Sequence, residues 1–246
     1  MRDRLVEDVS SCQGIHGDNT VSVVVTPQNV RELIDTQRPG FIQSRLRCLG
    51  SAPVPISGPC DEPTIRQRLR CAAADFRGGL SELLPYAKVM LGPLMDCHQQ
   101  NVLVLGLGGG TIPSFLRTKC PGSHVVAVDN NANVVRAARD FFAFDGEAIV
   151  DDVHRVLSKL STTKAGTFDA IVTDVGHNIR LDRKDLGNVV RLLKSDGVLM
   201  ENLSTPSFAD EQVALYKDFL GDVSAEVSGN NRIVFGRLHP SKTLEQ

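Results

Sequence analysis

The stretch Asn101–Lys119, NVLVLGLGGGTIPSFLRTK, decides how the rest of the chain is read. NVLVLG (101–106) is a short apolar run, the composition of a strand buried on both faces of a parallel sheet. Gly106-Leu107-Gly108-Gly109-Gly110 follows, and Thr111–Lys119 reads as a helix. Glycines without a Cβ let the main chain turn tightly and let a ligand come close to it. The N-terminus of the helix beyond offers unpaired N–H groups and a partial positive charge, which suits a carboxylate or a phosphate. A glycine-rich stretch alone is weak evidence. Between a buried strand and a helix it becomes a candidate binding turn, with a plain tight turn as the alternative.

Outward from this point the pattern is regular. HVVAVD (124–129), EAIV (147–150), FDAIVTD (168–174) and GVLMENL (197–203) read as strands. They alternate with helical stretches at 132–144, 153–160, 182–193 and 208–220. Strands and helices in strict alternation predict a parallel sheet covered on both faces, an α/β fold of the Rossmann-like kind. The end departs from the alternation: 222–227 and 232–238 flank Ser228-Gly229-Asn230-Asn231, the pattern of a closing antiparallel hairpin. Upstream, 21–25, 30–34 and 41–46 are short β-like runs separated by Pro27 and by Arg38-Pro39-Gly40. SAPVPISGPCDEP (51–63) carries four prolines and reads as a loop. Leu83, Leu84, Val89, Met90 and Leu94 suggest a helix or two within 64–96. The expected organisation is a small β-rich region with its Pro-rich loop over 1–63, then a Rossmann-like domain with its leading helices over 64–246.

Composition narrows the partners. A formal net charge of -2 on 246 residues gives no electrostatic case for nucleic acid or an anionic membrane. Arg66, Arg68 and Arg70 read as a solvated face. With no Trp and two Tyr, base stacking has little to work with. The opening MRDRLVEDVSS is charged, and no run is apolar enough to span a membrane. Six cysteines lie scattered without CxxC or metal-ligand spacing, so they read as reduced packing residues and no metal is expected. A cytoplasmic protein is the expectation.

The residues able to carry chemistry gather at predicted strand ends. Asp129 ends the second strand, where a carboxylate can accept hydrogen bonds from both hydroxyls of a ribose. Asp152, with Asp151 beside it, follows the third strand and is placed to meet an adenine or to cap the next helix. Asp174 ends the fourth, at the edge where open α/β sheets place ligands, and could steer or deprotonate an attacking amine. His177, with Asn178, lies in the loop beyond and is a candidate base by its chemistry alone. Glu201 and Asn202 could point into the same cleft, and Ser204-Thr205 follow them. Tyr86 and Lys88 precede the first strand and would fold over a cofactor as a lid or simply pack.

VLVLGLGGGTIPSFL (102–116), VVAVDNNANVVRAARDFF (125–142), FDAIVTD (168–174) and LLKSDGVLMENL (192–203) resemble the successive motifs of class I methyltransferases, nearest to the spermidine synthase-like branch. The first strand has Val104 where many methyltransferases carry an acid. RELIDTQRPGFIQSRLRCL (31–49) is similar to that branch's small β-domain, which runs through a Gln-Ser pair, here Gln43-Ser44. The GLGGG turn and PYAKVMLGPL (85–94) are also similar to the C-terminal domain of the translation-elongation-factor methyltransferases. A terminal hairpin goes with methyltransferase-type sheets rather than nicotinamide-binding ones. The resemblance implies S-adenosylmethionine, or its decarboxylated form, bound by Gly106, Gly108, Gly110, Asp129 and Asp152. It matches Asp174 to the first aspartate of the aminopropyltransferase loop.

Departures from that branch separate the functional alternatives. Aminopropyltransferases follow the loop aspartate with two small hydroxyl residues and a second aspartate; this chain has Asp174-Val175-Gly176-His177. Asn131 stands where the ribose motif has a second acid, and the glycine run contains no acid. A polyamine is a cation and needs carboxylates to hold it. The first expectation is therefore methyl transfer, to a protein amine. Aminopropyl transfer to a small amine comes second, and a non-catalytic binding member third. A nicotinamide enzyme comes last. A homodimer through the N-terminal β-block would follow by analogy with the polyamine branch.

Overall fold

The computed structural model describes residues 21–25, 28–35, 42–50, 70–176, 179–203 and 209–238. The 51–63 loop, Arg66, Arg68, His177, Asn178, Ser204 and Thr205 lie outside these. In chain order the strands are β1 (Val21–Val25), β2 (Val30–Asp35), β3 (Ile42–Arg47), β4 (Asn101–Leu105), β5 (His124–Asp129), β6 (Glu147–Val150), β7 (Phe168–Thr173), β8 (Leu193–Leu203), β9 (Val223–Ser228) and β10 (Asn231–Arg237). Among the described residues the α-helices are α1 (Pro85–Leu91), α2 (Thr111–Lys119), α3 (Ala132–Phe141), α4 (Val153–Thr163), α5 (Arg183–Leu192) and α6 (Ala209–Phe219).

The chain divides into two compact units. One comprises Met1–Leu84, Leu107–Phe115 and Asn131–Gly146. Its three-stranded antiparallel sheet has the order β1-β2-β3, with α3 in contact with β1. The side chain of Asn131 accepts from Asn133 N at 2.8 Å and so starts α3. The helix ends at Phe141, short of the expected 144, because Ala143 takes a positive φ of 55°. That reversal turns Phe142 and Phe144 inward, where both are buried.

The other unit comprises Pro85–Gly106, Leu116–Asn130 and Glu147–Gln246. It holds a seven-stranded sheet of order β6-β5-β4-β7-β8-β10-β9. β6, β5, β4, β7 and β8 run parallel, and β10 pairs antiparallel with both β8 and β9. The expected Rossmann-like sheet with a terminal hairpin is the observed one. Leu103, Leu105, Val128, Ile171 and Leu199 of the strands meet Leu157, Leu186, Val189 and Tyr216 of α4, α5 and α6 in one buried cluster. Asp182 and Asp185 start α5 with a reciprocal capping box. β8 begins at Leu193, earlier than the expected Gly197, directly from the end of α5. Among the described residues of the 64–96 region, α1 is the expected helix; Leu83 and Leu84 fall outside it, Pro85 opens it and Gly92-Pro93 ends it in a 3-10 turn.

The cysteines correct the sequence reading. Cys48 is bonded to Cys71 and Cys97 to Cys120, so every cysteine among the described residues is in a disulfide. Spacing could not reveal this, because each pair spans 23 residues and is brought together by the fold.

Candidate functional site

The carboxyl edge of the seven-stranded sheet collects most of the expected site residues, and main-chain hydrogen bonds fix their order. Asp151 N donates to Asp129 O at 3.1 Å, Gly106 N to Val128 O at 2.8 Å, and Asp174 N to Leu105 O at 2.8 Å. Asp152, Asp129, Gly106 and Asp174 therefore follow one another across the ends of β6, β5, β4 and β7. Gly106 has a φ of +91°, and a Cβ there would lie 2.2 Å from the carbonyl oxygen of Asp174. The close approach that demands glycine at this position is the chain's own backbone.

Gly108, Gly109 and Gly110 belong to the other unit. Gly109 N donates to Ser44 Oγ at 2.9 Å, and a Cβ on Gly110 would meet the Phe144 ring at 2.9 Å. Ser44, from the Gln43-Ser44 pair, is thus a strut of the glycine turn. The turn is shaped by β3 and by the Phe142–Phe144 segment, a dependence that a local sequence pattern cannot carry.

Asp129 is partly exposed at its strand end. Asp152 does cap α4, accepting from Arg155 N at 3.2 Å through Oδ1. Asp151 accepts from Asp152 N and from Arg155 Nε, both at 2.8 Å. Capping through one oxygen leaves a carboxylate further acceptor capacity.

Asp174 is the centre of a polar cluster. Tyr86 Oη of α1 donates to its Oδ2 at 2.9 Å, and Asn202 Nδ2 of β8 donates to its Oδ1 at 2.8 Å. The residue keeps some exposed surface, yet its carboxyl group is deeply set, and burial pushes its pKa up. The hydrogen bonds from Asn202 and Tyr86 favour the ionised form and pull it back down. Burial and the facing carboxylate hold the Tyr86 phenol well above its ordinary value, so it stays a donor. Asn202 Oδ1 and Thr173 Oγ1 are buried without a protein partner. Tyr86 is thus no loose lid, and Asn202 does reach this edge. The partnership was invisible in sequence because the residues lie 88 and 28 positions from Asp174.

Glu201 departs from expectation. Successive strand residues face opposite sides, so while Asn202 meets Asp174, Glu201 accepts from the Tyr216 hydroxyl of α6 and is 1 % exposed. Burial pushes its pKa to about 7, against the lowering influence of Tyr216, Arg180 and Gln212. A further pair escaped the sequence: His154 Nδ1 lies 2.7 Å from Asp185 Oδ2 and joins the starts of α4 and α5. Among the described residues no group of three or more His, Cys, Asp or Glu side chains could hold a metal ion.

Comparison with known proteins agrees with this frame. Residues 102–197 match the family described as "Methyltransferase domain". The chain is similar to the polyamine aminopropyltransferase of Vibrio vulnificus, 29% identical over 167 residues that cover 63% of this chain and 56% of the relative. It is also similar to the eEF1A lysine and N-terminal methyltransferase of Xenopus laevis, 29% identical over 128 residues, 46% of this chain and 18% of the relative. The chain thus matches little more than half the length of the first relative and far less of the second. Among solved structures, human methyltransferase-like protein 13 in complex with SAH superposes with a TM-score of 0.58 at 22% identity, over 66% of this chain and 86% of that one. The resemblance to the spermidine synthase-like branch and to the elongation-factor methyltransferases is borne out.

Proposed function

We propose that this chain is a class I transferase that binds S-adenosylmethionine at the carboxyl edge of its sheet and transfers the methyl group to an amine, a protein amine foremost. The observation that carries this reading is the Asp174 carboxylate, held on both oxygens by Tyr86 and Asn202 beside the Gly106 turn. The relatives divide between methyl and aminopropyl transfer, and both reactions use an S-adenosyl sulfonium donor. The residues at the carboxyl edge of the seven-stranded sheet fit such a donor: Asp129 to accept from the ribose hydroxyls, Asp152 to meet the adenine, and Gly106 to turn the chain between them.

The bound cofactor supplies a sulfonium carbon open to in-line displacement, in which a C–N bond forms as the C–S bond breaks. The protein's part is to present a neutral amine in line and exclude water. Asp174 is suited to take the amine's proton, since burial raises its basicity while Tyr86 and Asn202 fix both oxygens. The orphaned Asn202 Oδ1 is an acceptor for a remaining N–H of the amine. His177 is retained as a second candidate base on its position in the chain alone.

Aminopropyl transfer from decarboxylated S-adenosylmethionine is the second reading, favoured by the Vibrio relative. Asp174-Val175-Gly176-His177 argues against it, since the second carboxylate of a polyamine site is missing there. Thermal stabilisation by S-adenosylmethionine, its decarboxylated form and NAD separates the readings. A ligand at ~100 times its dissociation constant adds about 2.7 kcal/mol. Stabilisation by S-adenosylmethionine, lost in Asp129→Ala, is the expected result. Preference for the decarboxylated form selects aminopropyl transfer, and no response to either sinks both.

A further inference from the structure

We propose that Cys48–Cys71 and Cys97–Cys120 are permanent structural disulfides, so that this chain folds where thiols are oxidised. Cytosolic proteins keep their thiols reduced, and their disulfides are transient and catalytic or redox-sensing. The two bonds here have neither character. Neither pair has the close spacing of a redox dithiol, each spanning 23 residues. Cys48 and Cys71 are buried at 4% and 2% exposure, so the first bond is shut away from reductant, whereas the second joins the buried Cys120 to an exposed Cys97.

The backbone brings each pair together by contacts other than the bond itself. Around the first, Cys48 bridges to Ala74, Leu49 N donates to Ala73 O at 2.9 Å, and Asp75 N to Arg47 O at 2.8 Å. Beside the second, His124 N donates to Gln100 O and Ser123 N to Cys120 O, at 2.8 and 2.9 Å. The Cα–Cα separations, 5.6 and 4.8 Å, lie in the range a disulfide requires. One bond lies in each compact unit, so each unit carries its own staple. In forming each bond two thiols lose two protons and two electrons. Glutathione disulfide, the oxidant of a thiol-oxidising compartment, is reduced to two glutathione molecules.

The proposal does not rest on methyl transfer, and its test reads covalent state and stability alone. The full chain is produced in a bacterial periplasm, alkylated with iodoacetamide, and digested without reductant. Peptides linked through Cys48–Cys71 and Cys97–Cys120 are the expected result; alkylation of all four residues overturns the proposal. The same chain, produced in a reducing bacterial cytoplasm and kept reduced, should melt roughly 5–10 °C lower for each missing bond. A fully reduced chain with the melting temperature of the oxidised one would equally overturn it.

Discussion

Asp174 shows how much a single residue's meaning depends on what surrounds it. Its position at a strand end was legible, but its two donors were not, because only the fold brings Tyr86 and Asn202 to it. Asp174→Asn keeps the shape and removes the base. Turnover should fall by roughly 10²-fold or more while S-adenosylmethionine still raises the melting temperature. Loss of both would mean that the residue only holds the fold. Glu201 makes a different prediction. Its folded pKa of about 7 lies above the ordinary carboxylate value, so the folded state binds the proton more tightly than the unfolded one. Its contribution is therefore fully present at low pH and is lost as pH rises through about 7. Glu201→Gln keeps an acceptor for Tyr216 and cannot ionise. Denaturant unfolding at pH 5 and pH 8 should show wild type losing on the order of 3 kcal/mol relative to this variant. A parallel pair of pH curves would refute the assignment.

Single elements were read well where their signal is local. The strands at 101–105, 124–129 and 147–150 are apolar runs bounded by turns, and they fold where the pattern puts them. The helix at 132 overran by three residues, because the left-handed Ala143 and the burial of Phe142 and Phe144 are decided by distant packing. Glycine runs are legible as turns, but not what crowds them. Gly106→Ala would place a methyl group against the Asp174 carbonyl at a φ that L residues avoid. A loss of roughly 2–4 kcal/mol in urea unfolding is expected; an unchanged midpoint would show that the turn can relax. Asp182 is a milder case. Replacing it with Ala removes half of the α5 capping box and should cost about 1 kcal/mol.

At the scale of the molecule, strand and helix alternation gave away the sheet, while the pairing of cysteines stayed hidden. Disulfides join residues by proximity in the fold, and nothing in a 23-residue separation marks a partner. The β1–β3 unit was likewise foreseen only as an N-terminal block. In fact it also draws on Leu107–Phe115 and Asn131–Gly146, which lie within the run of the α/β pattern. The chain thus enters and leaves that unit repeatedly, and no contiguous stretch of sequence encodes either body. The two are therefore not interchangeable cassettes. Recombination that swapped the first 84 residues for those of a cousin would have to match, at the same stroke, two short segments some distance downstream. A laboratory graft that ignores the downstream segments should yield chains that do not fold.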